Sequence, residues 1–79
     1  MSARVTLYSR PGCHLCDEAR AVIERVCTEV GTTYDEIDID RDPELTERFG
    51  EEIPVTFVDG RQHDYWRVDE IRLRAALGG

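Results

Sequence analysis

The chain has 79 residues, 17 acidic and 10 basic, for a net charge of −7; this length supports one small core, so a single domain over residues 1–79 is expected. Hydrophobic residues make up 41% and charged residues 34%, which excludes a disordered chain, and no apolar run approaches the roughly 20 residues of a membrane helix. The acidity excludes nucleic acid and anionic membrane as main partners, because both need basic patches. No signal-peptide core follows Met1-Ser2-Ala3-Arg4, so a cytoplasmic location is expected.

Arg4 to Tyr8 alternates Val5 and Leu7 with polar neighbours and reads as a strand, broken by Ser9-Arg10-Pro11-Gly12. A helical stripe follows through Leu15, Ala19, Val22, Ile23, Val26, Cys27 and Val30, with Gly31 as its C-cap. Tyr34 to Ile39 reads as a second strand with Ile37 and Ile39 on one face. Asp42-Pro43 supplies an N-cap and a proline at the first helical position for a short helix over Glu44–Phe49, which Gly50 ends. Pro54 to Val58 is a third strand, and Asp59-Gly60 predicts a two-residue hairpin to a fourth, Arg61–Tyr65. Asp69 to Leu77 closes as a helix with Ile71, Leu73 and Leu77 apolar, and Gly78-Gly79 reads as a frayed tail. The order is βαβαββα. A strand, a crossover helix and a strand give a parallel pair, and the hairpin adds two antiparallel strands. The expected architecture is an α/β fold with a four-stranded mixed sheet and helices on both faces.

The chemistry gathers at Cys13-His14-Leu15-Cys16, where the first strand turns into the first helix. Residues three apart on a helix share a face, so the two sulfurs can meet in a short-loop disulfide. Cys13 faces the unpaired N–H groups and the positive dipole end of the helix, which favour thiolate over thiol. Arg10 is a further positive charge nearby, whereas Asp17 and Glu18 oppose a negative sulfur. In this reading Cys13 attacks a substrate disulfide and Cys16 resolves the mixed disulfide. The competing use of Cys-x-x-Cys is half of a zinc site, for which only Cys27, His14 and His63 remain as further ligands. The strand–Cys-x-x-Cys–helix context favours redox chemistry over zinc. His14 is either a tuner of the neighbouring sulfur or an exposed spacer, and Cys27 is a small buried hydrophobe.

Two further segments bear on a substrate. Ile53-Pro54 opens a strand, the place where a proline is tolerated. A cis bond there would leave the Ile53 backbone unpaired and free to bridge to an extended substrate; base rates alone favour trans. His63, Tyr65 and Trp66 follow the hairpin as either a core edge or a groove wall, with Trp66 the best wall candidate. Between Asp35 and Glu52, nine carboxylates meet two arginines, a solvated surface or a docking face for a basic partner.

Tyr8-Ser9-Arg10-Pro11-Gly12-Cys13-His14-Leu15-Cys16-Asp17-Glu18-Ala19, followed by Ile53-Pro54-Val55-Thr56-Phe57, resembles the glutaredoxin branch of the thioredoxin superfamily over essentially the whole chain. It is similar to the small bacterial glutaredoxin-like proteins with a Cys-His-Leu-Cys site. The resemblance implies a thioredoxin-like fold, a cis Pro54 beside the two sulfurs, an exposed nucleophile Cys13 and a buried partner Cys16. It also implies a thiol–disulfide oxidoreductase with no resident cofactor beyond the Cys13–Cys16 disulfide. Proteins or small molecules bearing disulfides would be its substrates, and thioredoxin reductase or the glutathione system its electron source. The chain departs from glutaredoxins where they carry Gly-Gly after the hairpin: here the stretch is Gln62-His63-Asp64-Tyr65-Trp66-Arg67-Val68-Asp69. Arg10 and Arg67 are then the remaining partners for glutathione carboxylates. The alternative to an enzyme is a binding module of the same fold, or a carrier of a metal or iron–sulfur centre on the same cysteines.

Overall fold

The computed structural model describes residues 3–78. Strand β1 (Val5–Ser9) leads into helix α1 (His14–Val30), then β2 (Tyr34–Asp38), a 3-10 turn (Ile39–Arg41), α2 (Pro43–Phe49), β3 (Val55–Val58), β4 (Arg61–Tyr65) and α3 (Glu70–Ala76). The sheet order is β2-β1-β3-β4, with β1 parallel to β2 and antiparallel to β3, and β3 antiparallel to β4. The mixed four-stranded sheet and the order of helices and strands match the thioredoxin-like expectation.

Alternation along β1 sends Val5 and Leu7 to one face of the sheet and Thr6 and Tyr8 to the other. Val5, Leu7 and Val58 pack against Ala19, Ile23, Val26 and Cys27 of α1 and Leu73 and Leu77 at α3. Cys27 belongs to this core, as its place on the apolar stripe predicts. On the opposite face Ile39, Phe49 and Val55 form a second cluster, within which the rings of Tyr8, Phe49 and Phe57 pack with centroids 4.8–5.9 Å apart. Helix α1 ends where Gly31, at φ +81°, donates its N–H to the Cys27 carbonyl, a left-handed position that glycine occupies without a Cβ penalty. The β3–β4 turn has Asp59 and Gly60 both at positive φ, the geometry that matches strand twist in a two-residue hairpin. Asp59 is also gripped by Arg4 through bonds of 2.8 and 2.9 Å.

Three expectations need correction. Strand β2 stops at Asp38, and Ile39 enters the core from the 3-10 turn rather than from a strand face shared with Ile37. Asp38 causes the break: its side chain accepts the Asp40 N–H at 2.9 Å, capping the turn in place of a further ladder bond. Ile37 stays outward. In α3, Leu73 is fully buried while Ile71 is 76% exposed, because the helix shows the core only a narrow stripe. The last expectation, the terminal tail, divides: Gly78 donates to the Ala75 carbonyl at 3.0 Å, and Gly79 lies outside the described residues.

The two α3 positions give a direct test. Leu73→Ala should cost about 2–5 kcal/mol of stability, and Ile71→Ala no more than about 0.5 kcal/mol, measured by urea unfolding followed by circular dichroism.

Candidate redox site

The cysteine pair sits where β1 delivers the chain to α1. Pro11 and Gly12 turn the backbone, and Cys13 becomes the N-cap residue, extended at φ −97° and ψ 114°. Its carbonyl accepts the first helical bond, from Asp17 N–H at 3.1 Å. Its Sγ takes the place usually held by a serine or aspartate oxygen, accepting the Cys16 N–H at 3.1 Å. Cys13 is half-buried and Cys16 is completely buried, and both are free thiols. Burial, followed by the hydrogen bond with Cys13, pushes the Cys16 thiol up to about 12. The Arg10 backbone amide and the Arg20 charge act in the opposite direction.

Arg20 is the cation that the sequence reading missed. It lies one turn beyond Cys16 on the same helix and is held by Asp17 at 2.7 Å and Glu36 at 2.6 Å. Glu36 in turn accepts the hydroxyl of buried Ser9 at 2.7 Å. The signal was the four-residue step from Cys16 to Arg20, which places them on one helix face. Arg10, expected to bring its charge to Cys13, instead pairs with Asp40 at 3.1 Å. His14 is exposed at the first helical position and has no hydrogen-bond or ion-pair partner among the described residues.

The rest of the site comes from the same end of the sheet. Val55 pairs with both Tyr8 and Tyr65, so the start of β3 lies between the end of β1 and the end of β4. The Ile53–Pro54 bond is cis, and Pro54 is buried. The expectation of a wholly free Ile53 backbone is corrected: its N–H donates to the Phe49 carbonyl at 3.1 Å, the last turn of α2 having claimed it. The Ile53 carbonyl has no hydrogen-bond partner among the described residues.

Trp66 follows β4 and reaches Pro54 directly, its N–H donating to the Pro54 carbonyl at 2.8 Å. It is 53% exposed, and Tyr65 packs edge-on against it at 5.1 Å. Arg67 is exposed and lines a groove with Leu15, Glu18, Ala19 and Val22 of α1 and with Val68. His63 leaves this group. A β-bulge in β4 turns it inward, its side chain only 10% exposed and 3.7 Å from Asp64, with Nε2 lacking a hydrogen-bond partner among the described residues. No three His, Cys, Asp or Glu side chains gather as a metal-binding group among the described residues.

Comparison with known proteins agrees with this geometry. The family profile of the Glutaredoxin-like domain (DUF836) matches residues 4–78. An uncharacterized protein of Mycobacterium tuberculosis is 39% identical, the match covering 94% of this chain and 81% of that protein. The X-ray structure of a structural-genomics target from X. campestris is 35% identical with a TM-score of 0.78, covering 94% of this chain and 95% of that one. Glutaredoxin C1 from a poplar hybrid (populus tremula x tremuloides) shares the fold with a TM-score of 0.64 at 20% identity, covering 96% of this chain and 84% of that one.

Two measurements test the geometry. In reduced native protein, iodoacetamide should label Cys13 first and reach Cys16 and Cys27 only after denaturation, as read by peptide mass spectrometry. The second concerns Glu36, whose carboxyl is held below its ordinary value of 4.5 by the Arg20 hydrogen bonds, with burial opposing and Ser9 assisting. A carboxyl with a lowered folded pKa stabilises the fold above its unfolded pKa, and that contribution is lost as pH falls through the folded value. Stability should therefore drop from near pH 4.5 downward, and Glu36→Gln should flatten that slope in urea midpoints measured across the acid range.

Proposed function

The chain belongs to the glutaredoxin-like domain family, and from that premise we propose that it is a dithiol thiol–disulfide oxidoreductase acting on disulfide-bearing proteins. The observation that carries this reading is the asymmetry of the pair: a half-buried, amide-capped Cys13 with a completely buried Cys16 one turn behind it.

The steps follow from that asymmetry. The Cys13 thiolate attacks one sulfur of the substrate disulfide; a Cys13–substrate bond forms, and the other substrate sulfur leaves and takes up a proton. Negative charge on Cys13 before attack is met by the Cys16 amide. Cys16 is too shielded to meet the substrate first, and its burial holds it as a thiol until Cys13 has reacted. Once Cys13 is in the mixed disulfide, Cys16 loses its proton and attacks Cys13. That step releases the second substrate thiol and leaves the Cys13–Cys16 disulfide. The substrate has gained two electrons and the protein has lost two, which an external dithiol reductase must return. Pro54, the Ile53 carbonyl and Trp66 would form the wall on which the substrate lies, with His14 at its rim.

Arg10 is committed to Asp40, so Arg67 is the one candidate in the site for a glutathione carboxylate. Together with the net charge of −7, this supports a reductase of the thioredoxin-reductase class over glutathione as electron source. Among the described residues no helix is long and apolar enough to cross a membrane. A working place in the reducing cytoplasm fits thiols that must be regenerated.

The test has two parts. Cys16→Ser should accumulate a mixed disulfide with substrate, visible on non-reducing gels, while Cys13→Ser should trap none and lose at least about 10³-fold in disulfide reduction. In the wild type, reduction coupled to thioredoxin reductase should outrun reduction coupled to glutathione and glutathione reductase. A thiol count unchanged by mild oxidant would overturn the proposal.

A further inference from the structure

The aromatic residues divide sharply. Tyr8, Phe49 and Phe57 fill the second core cluster, while Tyr65 and Trp66, side by side, are 51% and 53% exposed. They stand beside the cis Pro54 at the end of the sheet that carries the cysteines. A chain this short has few large apolar side chains to spare from its core, so an exposed aromatic pair there suggests a surface for a partner.

Trp66 is not a loose side chain. Its backbone sits at φ +63°, a left-handed conformation that a bulky residue adopts only when its surroundings impose it. Three bonds impose it here. The Trp66 N–H donates to the carbonyls of Pro54 at 2.8 Å and Glu52 at 3.2 Å, and the indole Nε1–H donates to the Glu51 carbonyl at 3.0 Å. The ring is thus a fixed shelf clamped by its edge to the Glu51–Glu52 segment.

The charges around the shelf are unequal. The carboxylates of Glu51 and Glu52 take part in no ion pair or hydrogen bond among the described residues, although most of the arginines are paired elsewhere. The closest arginine in sequence on that side, Arg48, lies over the Phe49 ring at 4.9 Å. Arg67, the next residue along, lines the groove on the α1 side with Leu15 and Glu18. One flank of the shelf is therefore acidic, and the other carries Arg67 and Glu18, of opposite charge.

We propose that Trp66, with Glu51 and Glu52, selects polypeptide disulfides in which a lysine or arginine flanks the reacting cysteine. The inference rests on the thiol–disulfide reading and names its substrate class. With the substrate disulfide over Cys13, the flanking cation lies on the indole face. The ring quadrupole attracts it there, and the two free carboxylates add a field that an acidic flank would meet as repulsion. The disulfide of glutathione is net anionic and has no lysine or arginine side chain to lay on the ring.

Trp66 is the sole tryptophan, so its fluorescence reports occupancy of the shelf without any chemistry. The probes are two synthetic peptides with one internal disulfide, identical except for arginine or glutamate beside the reacting cysteine. Prereduced protein is mixed with each in a single turnover, which converts protein dithiol and peptide disulfide to protein disulfide and peptide dithiol with no external reductant. In parallel, each peptide is titrated into the redox-dead double variant Cys13→Ser/Cys16→Ser while tryptophan emission is followed. The arginine peptide should react about tenfold faster than the glutamate peptide and shift the emission at lower concentration, with both differences shrinking in high salt. Trp66→Ala should abolish the discrimination, and Glu51→Lys/Glu52→Lys, changes at an exposed and a half-buried position outside the core, should reverse it. Equal rates for the two peptides would overturn the docking proposal and leave the redox reading standing. Selective binding of the arginine peptide without turnover would overturn the redox reading on which the proposal rests.

Discussion

One contact organises the reactive end of the molecule: the Cys16 amide pointing at the Cys13 sulfur across the first turn of α1. It exists because β1 ends two residues before a Pro-Gly turn, and because α1 is pinned to the sheet by its own buried stripe. The helix cannot rotate without exposing Ala19, Ile23 and Val26, so its first turn is held in orientation. Cys13 is thereby presented at the rim, and Cys16 becomes the first member of the buried stripe. The difference between the two sulfurs is a difference in burial, imposed by where each stands: Cys13 caps the helix at its rim and Cys16 lies inside its first turn.

A second layer of charge surrounds this contact. Arg20, Asp17, Glu36 and Ser9 form a connected set between α1, β2 and the end of β1. The set holds the Arg20 guanidinium one helical turn from Cys16, where its charge assists the Arg10 backbone amide in opposing the effect of burial. Exposed ion pairs contribute little to stability, but this one is anchored to a buried hydroxyl. Its place one turn from Cys16 suits the proposed step in which that thiol must lose its proton.

Much of this was readable in the amino-acid order because local signals agreed with one another. The stripe from Ala19 to Val30, the Asp42-Pro43 helix start and the Asp59-Gly60 hairpin each specify a backbone geometry within a few residues. The failures are of a different kind. Ile37 and Ile71 have the right chemistry for a core, but whether a neighbour covers them depends on sheet order and helix orientation, which no short window encodes. Arg10 and Arg20 are both basic residues near the cysteines. Which one serves the site was decided by Asp40, thirty positions from Arg10, and by Glu36, sixteen from Arg20. The cis bond before Pro54 came from likeness to a family rather than from the residues themselves. Trp66 was singled out, but its clamped left-handed backbone depends on carbonyls of a segment more than ten positions earlier.

Strand β2 has a consequence of its own. It runs along one rim of the sheet, with β1 as its only strand neighbour among the described residues, so its far side offers main-chain groups to any other extended chain. Asp35, Glu36 and Asp38 occupy three of its five positions. Another copy approaching strand to strand would bring like charges together at that rim. The surplus of acid that marks the composition is thus concentrated where an edge-to-edge approach of two copies would meet repulsion.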